Sequence, residues 1–231
     1  MLTSGVWLGA ARNGVFLGVA LSTLIASPTT VVAQDSGGFT CNLALGSRQV
    51  QQWFETGGVF ESVVDNGRWQ LKWVPDAGVD RWGDPNDEAW QVETLSTCER
   101  RAANFPDRVV FVVSGPFGDD EDAWVAAISA AVDTIFLRFA SANRVELMPV
   151  VGGPDHDVCT FEGERVSASW QHVYIEAAIA RVVAEDTTGI LVAAPSPHVR
   201  SCSDYRDSIG HLTDDAAEAI GRELAEHFSV Y

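Results

Sequence analysis

The apolar positions of the chain fall into two alternating kinds of segment. Five short runs are rich in Val, Leu, Ile and Trp, as β-strands are; they are residues 39–45, 69–74, 108–113, 144–151 and 189–194. Between them, apolar residues recur every three or four positions, which predicts amphipathic helices. The clearest helical stripes are Trp124, Ile128, Ala131, Ile135 and Phe139; Ile175, Ile179 and Val182; and Ala217, Ile220, Leu224 and Phe228. A shorter helix is predicted over residues 47–55, and Thr213 is placed to cap the last helix.

Strands that alternate with helices predict an α/β fold, a three-layer α/β/α sandwich of the flavodoxin-like type around a five-stranded parallel sheet. Residues 34–231 are enough for one such domain. With right-handed crossovers, the ligand site of this kind of sheet lies beyond the carboxyl ends of the strands. The loops that follow the strands are therefore the places where catalytic residues are expected.

The N-terminal segment predicts export. Residues 1–33 contain one basic residue, Arg12, and no acidic residue, and an apolar run over residues 14–26 precedes the small-residue stretch 31–33. This pattern predicts a signal peptide cleaved before Gln34, and hence a secreted or periplasmic protein. A retained membrane anchor is the alternative, but the strongest apolar stretch is about a dozen residues long, whereas a spanning helix needs roughly 20. We expect no stable membrane insertion after cleavage.

Charge and cysteine content narrow the partners and the compartment. The formal net charge is −17, which would repel a nucleic-acid backbone or an anionic membrane surface, so neither is expected as a partner. The four cysteines suit two disulfides in an exported chain, with three possible connectivities. We favour Cys41–Cys98 with Cys159–Cys202, because the second pair would join two loops on one rim of the sheet. None of the four has the spacing of a metal site.

Two residues in the candidate loops have the chemistry of a nucleophile and its base. Ser47 follows the first strand directly and opens a helix, whose N-terminus stabilises developing negative charge; the alternative is that Ser47 only caps this helix. His211 lies just before the last helix, on the same predicted rim. A serine hydroxyl needs a base to take its proton, and the base needs a carboxylate to fix its tautomer, for which Asp207 and Asp204 are both close enough.

This arrangement resembles the SGNH (GDSL-like) esterase superfamily. A strand, a Gly-Ser turn at Gly46-Ser47, a helix, and then a carboxylate with His211 before the C-terminal helix is the order found in that family. Residues 77–82, 106–109, 149–156 and 201–205 also look like stretches of secreted bacterial SGNH-type proteins. The resemblance implies a secreted carboxylic-ester hydrolase that needs no cofactor. It assigns Ser47 as nucleophile, His211 as base, and the amides of Ser47 and Gly78 as oxyanion-hole donors.

The sequence departs from the family pattern in three places. The Asp that usually precedes the nucleophile is absent, no asparagine occurs in residues 114–120 where the family has its third oxyanion donor, and Ser208 stands where the carboxylate partner of the histidine is usual. Losing one oxyanion donor costs about 2.7–4 kcal/mol of transition-state stabilisation, whereas losing the carboxylate can cost about ten-thousandfold in rate. The alternative function is therefore a catalytically impaired protein that binds a carbohydrate or another small ligand.

The remaining polar and aromatic candidates are given smaller roles. Trp82, in the long loop after the second strand, and His156, in the loop after the fourth, are candidate substrate contacts. A packing or capping role is expected for His172. A metal site built from Asp155, His156, Asp157 and His198 has no supporting ligand spacing, so no metal is predicted. The substrate and the oligomeric state stay open.

Overall fold

A computed structural model of the protein describes residues 38–96, 98–99 and 105–229. The predicted signal peptide over residues 1–33 and its cleavage site before Gln34 lie outside the described residues. Among the helices of the described ranges, none combines the length and the apolarity that crossing a membrane requires.

A five-stranded parallel sheet forms the centre of the molecule, and each of its strands falls within one of the predicted apolar runs or ends one residue beyond it. The strands of the described residues are β1 Asn42–Gly46, β2 Trp69–Trp73, β3 Arg108–Val113, β4 Arg144–Pro149, β5 Thr160–Phe161, β6 Glu164–Arg165 and β7 Leu191–Ala193. The sheet has the order β2-β1-β3-β4-β7, and all neighbouring strands are parallel. Strands β5 and β6 form a separate antiparallel hairpin after β4 that the sequence did not predict.

Two groups of helices cover the sheet, one on each face. The α-helices of the described residues are α1 Arg48–Glu55, α2 Val59–Val63, α3 Val79–Gly83, α4 Glu121–Arg138, α5 Ser167–Glu185 and α6 Asp214–Ser229. Helices α1 and α2 pack against α6, while α4 packs against both α3 and α5. The predicted three-layer α/β/α sandwich is therefore confirmed.

The core has the pattern that burial on both faces of the sheet requires. All six positions of the central strand β3 are buried, because a parallel strand between two helical layers has no solvent face. Every residue of the three predicted helical stripes is also buried, and the tryptophans of α1 and α4, Trp53 and Trp124, are fully enclosed.

Two strands begin later than predicted, for local reasons. Strand β1 begins at Asn42 because the Asp107 carboxylate accepts hydrogen bonds from the amides of Thr40, at 3.0 Å, and Cys41, at 2.9 Å, in place of a sheet partner. Strand β7 begins only after Gly189, whose φ of +73° lies in the left-handed region and interrupts an extended chain.

Two disulfides join distant segments of the domain. They are Cys41–Cys98 and Cys159–Cys202, with Cα–Cα distances of 5.6 and 5.3 Å, and this is the pairing favoured from the sequence. The second disulfide connects the loop after β4 to the loop before α6. Both loops lie toward the carboxyl edge of the sheet.

Candidate active site

A cavity of about 380 Å³ opens at the carboxyl edge of the sheet. It lies beside the neighbouring strands β1 and β3, whose following helices go to opposite faces of the sheet; such a switch point is the usual ligand site of a doubly wound fold. Its lining includes Ser47, Gly78, Ser114, Val150 and His211, which come from the ends of four strands and from the loop before α6. The structure thus brings Ser47, Gly78 and His211 together around one cavity.

Ser47 occupies the N-cap position of α1 without using its side chain as the cap. Its backbone is extended, with φ −91° and ψ −165°, and its side chain makes no capping hydrogen bond. The alternative interpretation of Ser47, a purely capping residue, therefore has no support in the geometry. Gly46 is required before it, because a Cβ there would lie 3.0 Å from both Cβ and the carbonyl oxygen of Val112.

His211 is held by Asp207. The His211 Nδ1 lies 2.5 Å from Asp207 Oδ2, and Asp207 Oδ1 accepts hydrogen bonds from the amides of Ile209, Gly210 and His211. An ionised carboxylate can only accept, so Nδ1 carries the hydrogen. This tautomer leaves a lone pair on Nε2, the atom that a general base uses.

Asp207 is ionised at neutral pH. Burial by itself would raise the pKa of Asp207, but the hydrogen bonds from the amide and ring of His211 and from the Gly210 amide outweigh it, and the net pKa falls below the usual 3.8. The carboxylate is therefore charged where a protonated imidazole would need a negative partner.

Asp204, the other carboxylate considered as the partner of His211, is used differently. Its Oδ2 accepts hydrogen bonds from the amides of Arg200 and Ser201, both at 3.0 Å, as the third residue of a capping box on a short 3-10 helix. Asp204 therefore shapes the loop before α6, and Asp207 is the carboxylate that contacts the imidazole.

Gly78 stands where two loops of the rim approach too closely for a side chain. A Cβ at Gly78 would lie 2.6 Å from Asp80 Oδ1 and 3.0 Å from Gly115 Cα. The same loops are joined by the Val79 amide, which donates to the Ser114 carbonyl at 2.6 Å. Gly78 itself lines the cavity, which is the position expected of an oxyanion-hole donor.

Two glutamines of α1, which the sequence did not single out, hold the backbone on both sides of His211. Gln49 Nε2 donates to the Gly210 carbonyl at 2.6 Å. Gln52 donates to the Leu212 carbonyl at 3.0 Å and accepts from the Leu212 amide at 3.1 Å. Both side chains are buried. The helix that begins after Ser47 therefore also fixes the position of His211. The sequence feature that could have indicated this role is the pair of glutamines three residues apart, next to the buried stripe of α1.

The two predicted substrate contacts, Trp82 and His156, are not among the residues that line the cavity. Trp82 is fully buried, and its Nε1 donates to the Ala77 carbonyl at 3.1 Å. His156 lies beside two other histidines, His172 and His198. Substrate contact by Trp82 or His156 has no support from this geometry.

Similar folds occur among solved structures. A DUF4886 family protein from Bacteroides uniformis aligns with a TM-score of 0.50 and 13% identity, over 80% of this chain and 82% of that chain. The likeness is one of fold. An extracellular lipase from Streptomyces rimosus aligns with a TM-score of 0.43 and 12% identity, over 81% of this chain and 99% of that chain. No family model matches the chain, and no curated protein matches it.

Proposed function

We propose that the protein is an exported serine esterase that hydrolyses carboxylic esters with an acetyl or short acyl group. The observation that carries this proposal is the 2.5 Å contact between Asp207 and the ring of His211, at the edge of a cavity that Ser47 also lines. The cavity volume of about 380 Å³ suits a small acyl group, since ligand pockets start at roughly 300 Å³. The predicted signal peptide and the two disulfides support export.

In the proposed reaction, His211 Nε2 takes the proton of the Ser47 hydroxyl as Oγ attacks the ester carbonyl carbon. The bond to the leaving alcohol then breaks, and His211 returns the proton to the alcohol oxygen. This leaves an acyl group on Ser47. Water attacks the acyl carbon, gives its proton to His211, and the carboxylic acid leaves as the proton returns to Ser47. Asp207 stabilises the positive imidazole in both halves of the reaction.

The oxyanion that forms in each half needs hydrogen-bond donors, which we assign to the amides of Ser47 and Gly78. The loop after β3 contributes Ser114 and Gly115 to the cavity wall where the resembled family has an asparagine. If no donor replaces that asparagine, the rate falls on the order of a hundred- to thousandfold. We therefore expect a slow esterase rather than an inactive protein.

The experiment is hydrolysis of p-nitrophenyl acetate by purified protein, compared with Ser47→Ala and His211→Ala. The proposal predicts that both variants lose nearly all activity while keeping the circular dichroism of the wild type. Ser203→Ala is the matched serine control, since Ser203 lies on the same rim outside the cavity lining, and it should keep the wild-type rate. Equal rates in all four proteins would contradict the proposal. An inactive wild type would favour the alternative function, binding of a carbohydrate or small ligand.

A further inference from the structure

Three histidines and a glutamate converge at the carboxyl edge of the sheet, outside the lining of the candidate active site. His156 lies in the turn after β4, His172 and Glu176 lie one helical turn apart on α5, and His198 follows β7. One ligating atom from each residue lies within 4.8 Å of all the others. Four side chains able to bind a metal are thus gathered from three segments that are distant in sequence.

Two of the imidazoles are oriented as metal-binding imidazoles are. His172 Nδ1 lies 2.7 Å from the Val150 carbonyl, and His198 Nδ1 lies 2.7 Å from the Gly153 carbonyl. A carbonyl can only accept, so both Nδ1 atoms carry hydrogen, and in the neutral rings both Nε2 atoms are acceptors. His172 Nε2 accepts from the Ser196 hydroxyl at 2.8 Å, a hydrogen bond that a bound metal would replace. Histidines that bind metals usually donate their other ring N–H to a carbonyl or carboxylate in this way.

The third imidazole is held near the others by an unusual backbone. Asp155 and His156 have φ of 49° and 65°, in the left-handed region that non-glycine residues seldom adopt. The ring of His156 lies 4.4 Å from that of His198, centroid to centroid, and the ring of His172 lies 4.5 Å from that of His198. Consecutive residues strained in this way persist where the surroundings enforce them, often at binding sites.

The composition of this cluster suits a metal ion. Three imidazoles this close repel one another when all are charged. A neutral imidazole is the form that binds a metal. The Glu176 carboxylate, 3.5 Å from His172 Nε2 and 3.7 Å from His156 Nδ1, completes a set of three nitrogens and one oxygen.

We propose that His156, His172, Glu176 and His198 bind one Zn²⁺ ion as a structural site. Imidazole nitrogen with carboxylate oxygen suits Zn²⁺ and neighbouring transition ions, whereas Mg²⁺ and Ca²⁺ prefer oxygen ligands alone. Tetrahedral ligation places the ligand atoms about 3.4 Å apart, so the site contracts on binding. The exposed His156 and the partly exposed Glu176 are the residues that move, and four protein ligands leave no open position for catalysis.

Isothermal titration of chelator-treated protein with ZnCl₂ tests this site. All four cysteines are in disulfides, so thiolates do not compete. The site predicts one equivalent of Zn²⁺ bound, with binding weakened about hundredfold in His156→Gln and in Glu176→Gln, the upper end of what losing an outer-shell partner costs. His227→Gln and Glu185→Gln are the matched controls, the second on the same helix as Glu176, and both should bind as the wild type does.

His156→Gln keeps the test decisive, because its side chain is 56% exposed and its loss should not unfold the domain. Co²⁺ offers a second readout, since a tetrahedral site gives it intense visible absorption that both cluster variants should lose. No saturable Zn²⁺ binding in the wild type, or unchanged affinity in His156→Gln and Glu176→Gln, overturns the proposal.

Discussion

Replacing Asp207 by asparagine probes the candidate triad with almost no change in shape. The substituted side chain would keep one oxygen and place an NH₂ group where the other oxygen was. If the NH₂ group faces His211 Nδ1, that nitrogen must accept, and the ring proton moves to Nε2, where it blocks the base. If the oxygen faces the ring, the NH₂ group meets the three backbone amides that now donate to Oδ1. Either orientation leaves a group without its proper partner.

The two consequences differ in size. A base held in the wrong tautomer loses about ten-thousandfold in kcat. The backbone amides that lose an acceptor cost about 1–3 kcal/mol when fully buried, but the Asp207 side chain is 34% exposed, so water replaces part of the loss. The orientation with NH₂ facing the ring keeps the three backbone hydrogen bonds, so we expect Asp207→Asn to adopt it and stay folded. The variant should lose no more than about 1 kcal/mol of stability and nearly all esterase activity.

Asp204→Asn is the matched control, because Asp204 also accepts backbone amides in the same loop but does not contact the imidazole. Initial rates with p-nitrophenyl acetate and urea unfolding would be measured for both variants. Asp204→Asn should lose similar stability and stay within about tenfold of the wild-type rate, consistent with lost hydrogen bonds and an intact base. Similar rate losses in the two variants, or an active Asp207→Asn, would refute the assignment of Asp207.

Three other substitutions test the scaffold around the site. Gln52→Met removes the partners of a buried amide and carbonyl beside the candidate base, so urea unfolding should show a loss of about 2–4 kcal/mol; Gln51→Met, on the same helix, is the control and should lose far less. Glu146→Gln removes the carboxylate, 2.7 Å from the Arg108 guanidinium, from a pair that is 2% and 1% exposed; thermal unfolding should show a loss of about 3–5 kcal/mol, and an unchanged midpoint would contradict it. Hydrogen bonds, chiefly from a nearby threonine, lower the pKa of Asp186 from 3.8 to about 2, so its ionised form stabilises the fold above pH 4 and this contribution disappears as the pH falls toward 2. In acid titrations, the free energy of unfolding of Asp186→Asn should therefore lie below that of the wild type above pH 4, and this difference should shrink as the pH falls toward 2. A difference that stays constant with pH would contradict the lowered pKa.

The fold was predictable because its signals are local. The inner strands of the parallel sheet are covered on both faces, so they appear in the sequence as short apolar runs, and each long helix shows one apolar stripe. Thr213 does cap the last helix, since its hydroxyl accepts the Ala216 amide at 3.4 Å. The hairpin of β5 and β6 escaped prediction because strands of two residues carry no periodicity.

The site was only partly predictable, since much of it depends on tertiary contacts. Ser47 and His211 could be selected from the sequence because one directly follows a strand and the other lies just before the last helix. Both positions lie at the carboxyl edge of a parallel sheet, where ligand sites form. The sequence could not choose between Asp207 and Asp204, because both lie near His211 along the chain and only the loop conformation separates them. Gln49 and Gln52 read as ordinary polar helix residues, although their amides bind a loop that is 160 or more residues away.

The proposed zinc site and the candidate active site both contact the backbone of Val150 and Val151, so any energetic coupling between them can be tested. The Val150 carbonyl accepts from His172 of the metal cluster, and the next amide, of Val151, donates to Gln49 at 2.8 Å. Gln49 in turn binds the loop of the candidate base. If this backbone transmits strain, Gln49→Met and Glu176→Gln should show a coupling above about 0.5 kcal/mol in a double-mutant cycle of unfolding free energies with Zn²⁺ present. Strictly additive changes in unfolding free energy would mean that this backbone does not couple the two sites. Bound zinc would then stabilise the rim without affecting the geometry of the candidate active site.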